Sequence, residues 1–161
     1  MQTFLPHPEF AASAAVLDMR RLGKQRVETL QVLRGLTVPG YGWRNHPAVR
    51  MWAGYEEALV RYGLEMCHVW TDSGRADTCA GTMMRDFAAL EDFADPPRGY
   101  AELAAADELP NWLGDSAFHR SHQSALVTKD PSFYRTHFPD VPEGLPYVWP
   151  ASDRRRRVTD V

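Results

Sequence analysis

Four side chains of complementary chemistry recur along "RRLGKQRVETLQVL" (residues 20–33): Arg21, Lys24, Glu28 and Gln31. At about 3.6 residues per turn they fall within roughly an 80° arc of one helix. Two readings compete. In one, the stripe is a solvated face on which Lys24 and Glu28, four apart, form an ion pair of about 0.3–0.5 kcal/mol. In the other it is a site. A carboxylate beside amines can stabilise a developing cation or move a proton. A partly buried lysine can lose its proton and attack an electrophilic carbon. Arg20, Arg21 and Arg26 can hold phosphates around them.

Other residues could serve the same chemistry. The loop "GYGWRNHP" sets Trp43, Arg44, Asn45 and His46 in a row. It reads either as a turn leading into a capped helix or as a loop that stacks on a base and donates to phosphate. "FHRSHQSAL" places His119 and His122 three apart on one helix, with Ser121 and Ser124 beside them as hydroxyl donors. The imidazoles read as polar groups of a helix interface or as phosphate contacts. As metal ligands they would need a third and usually a fourth partner, and nothing in the spacing of His7 or His46 commits either one. Tyr147 and Trp149 lie in an irregular aromatic stretch that can present a stacking ring. No P-loop, dinucleotide-binding glycine pattern, HExxH or GxSxG occurs, and no metal or cofactor is expected.

These residues need elements to position them. Pro6 and Pro8 keep residues 1–8 extended. A helix is expected from Glu9 to Leu36, bent at Gly23, followed by the glycine- and proline-rich loop. Asn45 or His46 then caps a long amphipathic helix over residues 48–70, with Pro47 in its first turn. A third helix is expected from Thr78 to Phe93, ended by "DPPRG", and a short one at "YAELAAAD". Asp115 caps the helix of residues 116–129, and Asp130 with Pro131 opens a short turn. From Phe138 the prolines and aromatics predict a segment that wraps the body without regular structure. No alternating strand pattern appears. The fold class is mainly α: one helical bundle over residues 1–150, then a basic tail, residues 151–161, expected to be disordered.

The 161 residues are 44% hydrophobic and 24% charged, enough to bury a core without staples. Cys67 and Cys79 are expected as free thiols. The N-terminus lacks the pattern of a secretory signal, and no run of about 18 apolar residues predicts a membrane span. The expectation is a cytoplasmic, monomeric protein. Net charge is −3, yet residues 20–50 hold seven cations against the single acid Glu28. A ligand meets this local field rather than the net charge.

The frame D-x-x-R-L-x-K-Q-x-V-E (Asp18 to Glu28), followed by "NHPAVRMWAGYEEAL" and "HRSHQSAL…DPSFYRTHFPD", resembles a group of bacterial and phage proteins. It is more distantly similar to the phage pyrimidine-dimer DNA glycosylases of the endonuclease V type. The resemblance follows the order of parts as far as Asp140, with no counterpart for residues 75–115. It implies a compact α protein that acts on damaged or modified DNA, with Glu28 as the catalytic carboxylate. An amine would attack the sugar C1′ as the base leaves, and the imine formed would allow strand cleavage at the abasic site. In that family the amine is that of a threonine exposed when the initiator Met is removed. Here Gln2 is too bulky for the usual removal, so the amine expected is that of Met1 or Lys24. Val27 stands where the phage enzyme has arginine. Two other functions compete: a non-catalytic DNA- or nucleotide-binding module of the same fold, and a metal-dependent hydrolase built on His119 and His122.

Overall fold

Residues 1–158 are described by the computed structural model. The last three residues of the basic tail, 159–161, lie outside them. Among the described residues there are eight helices and no strand. Residues 1–9 run extended into α1 (Phe10–Val16). Next come α2 (Met19–Thr37), the loop 38–46, α3 (Pro47–Arg50) and α4 (Glu56–Asp72). After them follow α5 (Cys79–Ala88), α6 (Tyr100–Ala105), α7 (Ser116–Lys129) and α8 (Pro131–Tyr134). Residues 135–158 have no regular structure, as their prolines predict. No helix among the described residues is long and apolar enough to cross a membrane.

The core forms where α2 and α4 cross, because both carry apolar stripes and glycines that let them approach. A Cβ on Gly63 would meet Met83 Sδ at 2.5 Å and Thr29 Cγ2 at 2.6 Å, so α2, α4 and α5 converge there. Trp52, Tyr62, Phe10, Phe87 and Phe118 are fully buried around this crossing.

The extended N-terminal segment passes through the core with no neighbouring strand, so side chains must satisfy its backbone. Phe4 N–H donates to Gln25 Oε1 (2.9 Å), and Phe4 O (2.8 Å) shares the single Tyr62 hydroxyl proton with Gln25 Oε1 (2.7 Å). Leu5 N–H donates to His122 Nδ1 (2.9 Å), while Leu5 O lies 2.8 Å from His119 Nδ1. Pro6 O accepts from Gln123 (2.8 Å). The opposite edge of α7 does the same for the C-terminal segment. There the hydroxyls of Ser124, Thr128 and Ser121 accept from Leu145, Gly144 and Val148 N–H at 2.9, 3.0 and 3.2 Å. One helix therefore holds both irregular ends of the chain in place.

Several boundaries differ from the expected ones. The helix from Glu9 to Leu36 is broken at Leu17–Asp18 rather than bent at Gly23. Asp18 is extended (ψ 158°), and the Tyr134 hydroxyl both accepts from its N–H and donates to its carboxylate. Gly23 lies inside α2 because Trp70 packs on it; a Cβ there would sit 3.0 Å from the ring. The helix expected over 48–70 is interrupted at residues 51–55. Gly54 adopts φ 78°, a left-handed conformation that favours glycine, and Arg154 packs on its open side. The third helix stops at Ala88, short of Phe93. His46 is the cap of α3, its Nδ1 accepting from Ala48 N–H at 3.1 Å.

Residues 151–158, expected to be disordered, lie against the body instead. Ser152 Oγ donates to Ala53 O (2.6 Å), Arg154 pairs with Glu108 (2.6 Å), and Arg157 reaches Glu56 (3.3 Å) and Asp92 (2.9 Å). The buried Glu56 attracts this run. Its carboxyl is pushed up by burial and held down by Gly54 N–H and Arg157.

Candidate active site

The polar stripe of α2 faces a cleft of about 330 Å³. One wall is α2, with Arg20, Arg21, Lys24, Gln25 and Glu28. A second is the extended segment, with Met1, Gln2 and Phe4. Lys129 at the end of α7 and Tyr147 from the C-terminal segment close it. Arg21, Lys24 and Glu28 therefore meet in one hollow, as the site reading of their spacing expects. Gln31 does not join them; it lines a shallower groove across the Arg20–Lys24–Glu28 ridge, beside Val27 and Trp70.

The Lys24–Glu28 ion pair of the solvated-face reading is absent among the described residues. Neutral donors hold the carboxylate instead: Gln25 Nε2 at 3.1 Å and Gln2 N–H at 3.3 Å, both on Oε2. Hydrogen bonds of this kind stabilise the anion without cancelling its charge. Around it, Arg20, Lys24 and Lys129 have no acidic partner among the described residues, whereas Arg21 pairs with Asp18 at 3.2 Å. The hollow is thus cation-rich around one carboxylate, an arrangement that can hold backbone phosphates beside a group able to steady a cationic sugar.

An aromatic rim adjoins the cleft. Trp43 meets His46 edge-on at 5.8 Å, His46 meets Trp149 at 5.9 Å, and Trp149 meets Tyr147 at 5.3 Å. Trp43 is 49% and Trp149 39% exposed, so both offer ring surface to a partner. Burial, and then the nearby Met1 ammonium, lower the His46 pKa, while Glu28 pulls the other way.

The remaining sequence-predicted residues lie elsewhere. Arg26 turns away from the cleft. It pairs with Asp77 at 2.6 Å and stacks 4.3 Å over Trp70, which fixes it as a structural strut along the neighbouring groove. Arg44 bonds back to Tyr41 O at 3.4 Å, and Asn45 is exposed in the same loop. His119 and His122 are buried and do not line the cleft, although His122 packs behind its wall, 5.7 Å from the Tyr147 ring and 6.0 Å from that of Phe4. His119 Nε2 accepts from Gly114 N–H at 2.9 Å, so Nδ1 carries the proton that Leu5 O accepts. His122 is driven by burial to a pKa of about 3, neutral with Nδ1 accepting from Leu5. The pair clamps the backbone of Leu5 in the extended segment. No group of three His, Cys, Asp or Glu among the described residues could hold a metal ion.

Gln25, Lys129 and the backbone of Gln2 escape the sequence reading. Gln25 sits on the apolar side of α2, 1% exposed. A buried amide in a mainly apolar stripe, and its fixed place in the frame from Asp18 to Glu28, are the signals that could have marked it.

The sequence model for pyrimidine dimer DNA glycosylase matches residues 1–83. No curated protein and no solved structure matches. The matched region holds the extended segment and all of α1 to α4, and with them the Met1–Phe4 and α2 walls of the cleft. Lys129, Tyr147 and Trp149 lie beyond it. The match covers more than half of the chain, which belongs to the pyrimidine dimer DNA glycosylase family, a family of DNA-repair glycosylases whose substrate is DNA.

Proposed function

We propose that this glycosylase releases a damaged or modified base from DNA through an amine of the cleft, with Glu28 as the carboxylate that serves it. A duplex lies over the cleft with its phosphates against Arg20, Arg21, Lys24 and Lys129. The target nucleotide leaves the stack, and Trp43, His46, Tyr147 and Trp149 offer surfaces to the unstacked bases. The amine of Met1 or of Lys24 attacks C1′. The glycosidic bond breaks, and the base departs with the bonding electrons and takes up a proton. The Glu28 carboxylate stabilises the cationic sugar as it forms. Ring opening leaves an imine. Removal of a C2′ proton, assisted by Glu28, then expels the 3′ phosphate and cuts the strand, which is the abasic-site lyase step.

The observation that carries this reading is Glu28 itself: a carboxylate held by neutral N–H donors beside Arg20, Lys24 and Lys129, which have no acidic partner among the described residues. Single-turnover assays on a duplex with one pyrimidine dimer test it. Wild-type protein is expected to break one glycosidic bond of the dimer, read as alkali-labile strand cleavage because that base stays joined to its neighbour through the cyclobutane ring, and Glu28→Gln to lose about 10²-fold or more of that rate while still binding the duplex. Equal rates for the two proteins would contradict the assignment of Glu28. A wild-type chain that binds DNA and excises nothing would leave the binding-module function in its place.

A further inference from the structure

Gln25 ties together three parts of the molecule that the reaction needs in register. Its Oε1 accepts from Phe4 N–H at 2.9 Å and from the Tyr62 hydroxyl at 2.7 Å. Its Nε2 donates to Glu28 Oε2 at 3.1 Å. The Gln2 N–H meets the same oxygen at 3.3 Å, two residues before Phe4. The amide is 1% exposed, so solvent does not compete for these bonds. Among the described residues no hydrogen bond reaches Glu28 Oε1, the oxygen left for a substrate.

We propose that Gln25 is the positioning residue of the catalytic carboxylate: it fixes the Glu28 rotamer and sets it against the extended segment that brings Met1 to the cleft. The proposal rests on the glycosylase reading of Glu28. The choice of an amide has a physical reason. Arginine or lysine at 25 would donate as well, but would cancel the charge meant for the cationic sugar. Glutamate would keep the acceptor for Phe4 and Tyr62, yet would offer no donor and would set a like charge beside Glu28. A neutral group that donates on one side and accepts on the other meets both demands.

Two experiments on the full chain test this. In the first, single-turnover excision from a pyrimidine-dimer duplex is compared for wild type, Gln25→Glu, Gln25→Met, Glu28→Gln and the double variant Gln25→Glu/Glu28→Gln. Gln25→Glu is expected to lose about 10-fold or more in rate, with duplex Kd within about twofold of wild type. If Gln25 acts through Glu28, the double variant is no slower than Glu28→Gln alone. In the second, the side-chain amide protons of Gln25 and the backbone amide of Gln2 are followed by NMR in Glu28→Ala, which leaves Gln25 in place and needs no activity. Both resonances are expected to shift and lose protection from exchange. Unchanged rates in both Gln25 variants, multiplying losses in the double variant, or resonances indifferent to Glu28→Ala would each overturn the proposal. A wild-type chain that excises nothing overturns the glycosylase reading instead, and the amide resonances still report whether Gln25 holds Glu28.

Discussion

A carboxylate surrounded by cations would ordinarily be neutralised by them, and Glu28 is not. Its two bonds come from neutral N–H groups, so its charge stays available to the cleft. Single residues elsewhere carry distinct consequences. His122 is neutral in the folded chain down to a pKa of about 3, whereas an unfolded histidine takes a proton near pH 6.5. The unfolded state therefore binds more protons as pH falls. The stability that His122 contributes is complete above about pH 6.5 and is lost progressively as pH drops toward 3. Urea unfolding at pH 7 and pH 5 checks this. His122→Asn keeps an acceptor for Leu5 N–H without the titration, and is expected to lose about 2 kcal/mol less than wild type between the two pH values. Equal losses would place the titration elsewhere. At the rim, Trp149 is 39% exposed. Trp149→Ala is expected to weaken DNA binding by about 1–3 kcal/mol, read by fluorescence anisotropy, with little change in melting temperature.

At the scale of elements, the crossing of α2, α4 and α5 fixes the cleft wall. Gly63 has no room for a Cβ between Met83 and Thr29. Gly63→Ala is expected to cost about 1–3 kcal/mol in urea unfolding, and to lower excision in proportion to the folded fraction. The elements legible in the sequence are those whose determinants are local. Asp115 and Asp130 cap α7 and α8 where their spacing predicts, with bonds to Phe118 and Phe133 N–H. The breaks within the two longest expected helices were not legible, because their causes are distant in sequence. Asp18 is held out of the helix by Tyr134, and Gly54 accommodates Arg154. The site divides in the same way. Arg21, Lys24 and Glu28 share a helix face, so periodicity brings them together. Gln25, His119 and His122 acquire their roles only when the extended segment passes beside them, and no pattern along the chain announces that passage.

For the whole molecule, a net charge of −3 does not describe what DNA meets. Among the described residues, several arginines outside the cleft are paired with acids, as Arg26 is with Asp77, Arg34 with Asp86 and Arg98 with Glu57. Arg20, Lys24 and Lys129 are left at the cleft. Duplex binding is therefore expected to weaken with salt, and Lys129→Ala to reduce the slope of log K against log[salt] by about 0.9. An unchanged slope would place the phosphates elsewhere. The C-terminal run plays a different part. Arg157 is the cation that reaches the buried Glu56, and Arg154 packs over Gly54. A chain ending at Pro150 leaves that carboxylate without its partner. It is expected to melt at lower temperature, and Glu56→Gln in the shortened chain to recover part of the loss.

The central claim is that an amine in this hollow forms a covalent bond to the sugar while Glu28 assists. Reductive trapping tests it most directly: the full chain is incubated with an abasic-site duplex in the presence of borohydride, and the crosslinked peptide is mapped by mass spectrometry. The account predicts an adduct on the Met1 amine or on Lys24, strongly diminished in Glu28→Gln. No adduct from a chain that binds the duplex, or an adduct confined to Lys129, the chain's other lysine, would contradict it.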